Sequence, residues 1–202
     1  MKKFFILLVG LALLCPNLRA QLPRYTYKAI AFTLVPGLGT NGLDCGKYRN
    51  GVAFHLLSGY SGGTTHFEFA GLSNFDKGAV SGVQLAGLVN IVGGNALEFP
   101  KKTRRQPKLS EARIAATLKG LQVAGLLNAV TGDAETLQLA GLANVNARNT
   151  KGIQLAGLTN QSFMNMYGAQ VATLLNYTGK HMRGVQLAGL INSSIETTKG
   201  LQ

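Results

Sequence analysis

A nine-residue phrase recurs along this chain at a fixed spacing, and that repetition constrains the fold more than any other feature. Its form is Gly-[Leu/Val/Ile]-Gln-x-Ala-Gly-Leu-x-Asn, clearest from Gly82 to Asn90. Copies run Gly120–Asn128, Thr136–Asn144, Gly152–Asn160, Gly168–Asn176 and Gly184–Asn192, with a degenerate one at His66–Asn74 that carries Glu68 in place of Gln. From Gln122 the glutamines recur every 16 residues through Gln138, Gln154, Gln170, Gln186 and Gln202. Glu68 to Gln84 is also 16, and only the step from Gln84 to Gln122, which is 38, breaks phase. A period of 16 is too short for a two-helix repeat, which needs about 33 residues or more. The apolar half of each unit is too short and too interrupted by glycine for a stable helix, so it reads as a strand. Asn and Gly at its ends are turn residues.

Two all-β architectures accommodate a strand of this length and a polar connection. One is a β-solenoid, a stack of 16-residue coils with parallel strands. The other is an antiparallel outer-membrane β-barrel. Fixed repeat length favours the solenoid, because each coil must match the one below it. Identical hairpins would also cancel one another's stagger, which a closed barrel requires. In a stack, identical amides lie one above another and form hydrogen-bonded ladders. The expected ladder residues are Gln84, Gln122, Gln138, Gln154, Gln170 and Gln186, with Asn90, Asn128, Asn144, Asn160, Asn176 and Asn192 at a corner. A bend at Ala86-Gly87 would gather Val83, Leu85 and Leu88 inside and leave Gln84 and Val89 outward.

The repeats resemble a family of bacterial surface-repeat proteins seen in spirochaetes and Bacteroidetes. The phrases Leu34–Gly42 and Val52–Tyr60 look like that family's lead-in. The resemblance implies an exported cell-envelope protein and implies no reaction.

The N-terminus agrees with export. Lys2 and Lys3 precede an apolar run from Phe4 to Cys15, and Leu18-Arg19-Ala20 offers a cleavage point. That is the order of a secretory signal peptide over residues 1–20, and the run is too short to span a bilayer as a helix. The rival, a lipid anchor on Cys15, has the bulky Leu14 against it. Cleavage would remove Cys15 and leave Cys45 alone, so no internal disulfide is expected. The remaining organisation reads as a lead-in over 21–65, first repeats over 66–90, a basic insert over 91–119 and regular repeats over 120–202.

The insert carries Lys101, Lys102, Arg104, Arg105, Lys108 and Arg113, with Ser110–Lys119 as a short helix candidate. These bases are the candidate contact for an anionic partner: lipid head groups, polysaccharide or another envelope protein. Nucleic acid is excluded by the expected export and the lack of interleaved aromatics. The chain ends in phase at Lys199-Gly200-Leu201-Gln202. Either the protein continues, or its last coil is an open edge able to self-associate. No catalytic, metal or cofactor site is expected. The eight acids are scattered, His55, His66 and His181 lack metal-ligand spacing, and the glycine clusters lack a dinucleotide-binding context. The expected role is therefore a structural or interaction scaffold rather than an enzyme, with a small structural or pore-forming barrel as the alternative.

Overall fold

A computed structural model describes residues 25–93 and 116–202. They form a two-sided β-solenoid. One face is an eleven-stranded sheet: ten longer strands in chain order from Thr26–Val35 to Thr197–Leu201, with the two-residue strand Leu38–Gly39 at the edge beyond the first. The other is an eight-stranded sheet of short strands, from Ser58–Ser61 to Ile191–Ser194. A typical coil is a long strand Ala134–Ala140, a bend at Gly141-Leu142, a short strand Ala143–Asn146 and a corner at 147–149.

Every coil-to-coil pairing is parallel, and the glutamine repeats pair in register. Gln138 lies opposite Gln122 and Gln154, and Asn144 lies opposite Asn128 and Asn160. The one antiparallel pair among the described residues is the small excursion at Leu38–Gly39. Parallel pairing excludes the barrel, whose neighbouring strands must alternate in direction.

Glycine is required where coils approach most closely. A side chain at Gly141 would sit 2.0 Å from the Gly125 carbonyl oxygen of the coil below. Gly152 has φ +128°, which side chains rarely adopt, and a Cβ there would meet the Thr136 carbonyl at 2.1 Å.

The lead-in belongs to the same stack. Ala31, Ala53, Glu68 and Gln84 occupy successive levels of one column. The phase break leaves no break in the stack either, because Gln84 pairs directly with Gln122 and Asn90 with Asn128. The strand Val89–Val92 runs past the expected start of the insert, and the strand Leu118–Ala124 begins before its expected end. The helix expected up to Lys119 is corrected there, because Leu118 and Lys119 pair with neighbouring coils as extended backbone. Residues 1–24, with the expected signal segment, and residues 94–115, with all six candidate bases, lie outside the described residues.

Candidate functional site

Burial overturns the expected assignment of inside and outside. Gln84, Gln122, Gln138, Gln154, Gln170 and Gln186 are all fully buried, as are Asn90, Asn128, Asn144, Asn160 and Asn176. Asn192, near the end of the stack, is half-buried. Val83, Leu85 and Leu88, expected inside, are only half-buried. Their counterparts Leu137, Leu155 and Leu142 are exposed. The interior is lined chiefly by polar columns, beside a smaller apolar cluster of Val80, Val92, Leu118, Val130 and Ala134, and the exterior of the long-strand sheet is apolar.

Hydrogen bonding makes this inversion tenable, since a buried amide is costly only when it lacks partners. Gln138 Nε2 donates to Gln122 Oε1 at 2.8 Å and to Asn146 Oδ1 across the coil at 3.1 Å. Gln154, Gln170, Gln186 and Gln202 each donate to the glutamine one coil before, at 2.6–2.9 Å. The asparagines run the other way. Asn144 Nδ2 donates to Asn160 Oδ1 of the following coil at 2.9 Å and to the Leu155 carbonyl at 2.8 Å. The two amide columns thus carry opposed dipoles, and each is polarised along its own length.

The direction of the glutamine column explains its one departure. Gln84 Nε2 donates to Glu68 Oε2 at 2.9 Å. Below Glu68 stands Ala53, which offers no side-chain acceptor. A column that donates downward ends naturally on a carboxylate.

Glu68 lies in a buried polar cluster. His55 Nε2 stands 3.1 Å from Glu68 Oε1. The His55 ring fills space beside Gly59, at the level where later coils carry asparagine. Asp76 is hydrogen-bonded by Ser61 Oγ, and Gln84 Nε2 donates to its Oδ2 at 2.6 Å. Burial pushes both carboxyls up, Asp76 well above its ordinary value because Glu68 also repels its charge. Burial pushes His55 down to about 4, so the ring is neutral where it hydrogen-bonds Glu68 through Nε2. With all three side chains at most 2% exposed, this cluster closes the polar column and offers solvent no reaction site. Among the described residues, no three His, Cys, Asp or Glu side chains group as metal ligands.

The accessible feature is the outer face. One outward column runs Phe32, Phe54, Phe69, Leu85, Val123, Leu139, Leu155, Val171 and Leu187, strand above strand. A second, two residues earlier, includes Ile30, Phe67, Leu121, Leu137 and Ile153. A third is made of the bend leucines, where each backbone N–H bonds the leucine carbonyl one coil back: Leu88, Leu126, Leu142, Leu158, Leu174 and Leu190. Phe32 stacks on Phe54 with centroids 5.7 Å apart, and with Leu34, Leu56 and Phe69 they border a shallow apolar groove.

At strand spacing the face is about 40 Å long, and three columns make it roughly 15 Å wide. An area on the order of 600 Å² matches or exceeds the largest apolar patch of a typical soluble monomer. The sequence contained a signal for it. The two outward strand positions accept Val, Leu, Ile, Phe or Ala across the copies, whereas Gln, Asn and the bend Leu scarcely vary.

Charge lines one edge of this face. The next outward column holds Lys119, Glu135, Lys151, Tyr167, Arg183 and Lys199, all exposed. Lys119 and Glu135 approach to 3.4 Å, and the Arg183 guanidinium sits 5.7 Å from the Tyr167 ring centre. Behind that column, the corners carry charges of both signs, as in the Arg148–Asp133 pair at 3.6 Å.

The sequence matches no protein-family model, no curated protein and no solved structure.

Proposed function

We propose that the chain is an exported, non-catalytic cell-envelope protein in which the solenoid is a rigid scaffold and its outward apolar face is a docking surface. The observation that carries this reading is the continuous apolar face on a stack whose buried side chains are mostly polar. Apolar side chains left outside the core gain little from folding, so a face this extended fits binding. The N-terminal signal order and the resemblance to envelope surface-repeat proteins supply the compartment.

Expression of the full chain in a bacterial host, followed by fractionation, tests the proposal. The expected result is a chain shortened by the signal segment and recovered with the envelope. Leu142→Lys with Leu158→Lys should release it to the soluble fraction while its circular dichroism stays that of the parent. An unprocessed chain in the cytoplasm would overturn the reading.

A further inference from the structure

We propose that the outward face seats on an anionic lipid surface, with the apolar columns at the head-group and acyl-chain boundary and the basic column against the head groups. This deepens the docking reading above and rests on it. Two features coincide along one edge of the sheet. The apolar columns present no donors or acceptors that a polysaccharide would need. Directly beside them, Lys151, Arg183 and Lys199 project from the same sheet surface, with Glu135 the only acid in the column and already held by Lys119. Apolar residues flanked by basic and aromatic ones are the composition of surfaces that lie in a membrane interface. The net charge of +12, which is 12 − 3 = +9 once Lys2, Lys3 and Arg19 leave with the signal segment, is complementary to anionic lipid and opposes face-to-face pairing with a second copy.

The face lies on the bilayer rather than crossing it. The corner behind the basic column carries Asp133, Arg148, Lys180 and Glu196. Those charges stay in water. The outer side of the short-strand sheet also carries apolar residues, Phe75, Ile91, Val145 and Tyr177 among them. Gln161 interrupts that column and, among the described residues, no basic column flanks it, so the long-strand face is the one that meets the head groups. Each basic residue near an anionic surface contributes about fivefold in binding, so removing three is worth roughly a hundredfold.

The test uses the full chain in a Cys15→Ser, Cys45→Ser background, with an environment-sensitive fluorophore on Leu155→Cys or on Gln161→Cys. Vesicles of phosphatidylglycerol with phosphatidylcholine should shift the Leu155 label to an apolar environment and leave the Gln161 label unchanged. Vesicles of phosphatidylcholine alone should bind far more weakly. Lys151→Gln, Arg183→Gln and Lys199→Gln together should weaken binding about a hundredfold with the dichroism spectrum retained. Equal shifts at both labels, or none at Leu155, would overturn the proposal. So would a Leu155 shift that appears with protein concentration alone, since that marks a second copy as the occupant. Envelope recovery in cells without any lipid-induced shift would sink the lipid assignment and leave the scaffold reading standing.

Discussion

Exchanging the chemistry of two adjacent residues, Gln154 and Leu155, tests the polar interior in a single coil. Gln154 donates to Gln138 at 2.9 Å and accepts from Gln170 at 2.7 Å and from Ser162 at 3.2 Å. Gln154→Leu removes all three bonds, a loss of about 3 kcal/mol at ~1 kcal/mol each. Gln170 Nε2 keeps only a long contact to Ser162 at 3.4 Å, which adds about 1–2 kcal/mol for a poorly satisfied buried donor. Burying leucine offsets about 2 kcal/mol of this. The net expectation is a destabilisation of roughly 2–3 kcal/mol. Leu155, by contrast, points outward and is 37% exposed. Leu155→Gln forfeits only part of its burial, about 1 kcal/mol. Urea unfolding of the two variants, followed by circular dichroism at constant slope, measures both. If Leu155→Gln costs more than Gln154→Leu, apolar side chains fill the interior and the inside-out assignment is wrong.

Other positions give equally sharp outcomes. Deleting 94–115 would leave Gly93, Ala116 and Thr117 as a three-residue corner like 147–149, so the variant should fold and melt higher than the parent. Shortening the connection about eightfold contributes ~2 kcal/mol by loop-closure entropy, and a variant that fails to fold would contradict the continuous stack. Glu68 and Asp76 have folded-state values raised above 4.5 and 3.8, so their contribution is present at low pH and is lost as pH rises through those raised values. His55, lowered from 6.5 to about 4, acts oppositely, costing stability as pH falls between those values. Asp76→Asn removes one of the carboxyl contributions, so the variant's denaturant midpoint should gain on the parent's as pH rises through the raised Asp76 value; parallel curves would mean that the cluster does not couple stability to pH. Gly152→Ala, with φ +128° and a carbonyl 2.1 Å from the new Cβ, should cost at least ~2 kcal/mol. Gly42→Ala, at φ +56° with nothing within 4 Å, should cost about 1 kcal/mol. Equal melting shifts for the two would mean that coil spacing does not restrict that glycine column.

The period alone carried the architecture. In-register stacking follows from a constant 16-residue step, and the sequence shows the step from Gln122 to Gln202. Which face points inward was not legible in the same way. A strand written apolar-Gln-apolar permits either orientation, and assigning apolar residues to the core places Val83 and Leu85 on the wrong side. What decides the matter is the partner each amide finds one coil away, which only the assembled stack reveals. Within the strand, the invariance of Gln beside freely varying Val, Leu and Ile was the available clue, because a ladder demands one side-chain length and an outer strand position demands only apolarity; the bend leucine, outward and yet constant, carries no such signal. The first coils escaped the repeat pattern because Ala31 and Ala53 stand at the glutamine position and Gly59 at the asparagine position, with His55 filling the space. The candidate bases at Lys101–Arg113 lie outside the described residues, whereas the exposed bases beside the apolar face sit in the strands themselves.

The central claim is a parallel stack that advances one strand spacing per 16 residues, and distances between spin labels measure that advance. With native cysteines replaced, labels at Lys119 and Arg183 stand four coils apart, and labels at Lys119 and Lys199 stand five apart. The expected separations are about 19 Å and about 24 Å, an increment of one strand spacing. Distances that fail to grow by about 5 Å per added coil, or that alternate between short and long as strand direction reverses, would contradict the solenoid.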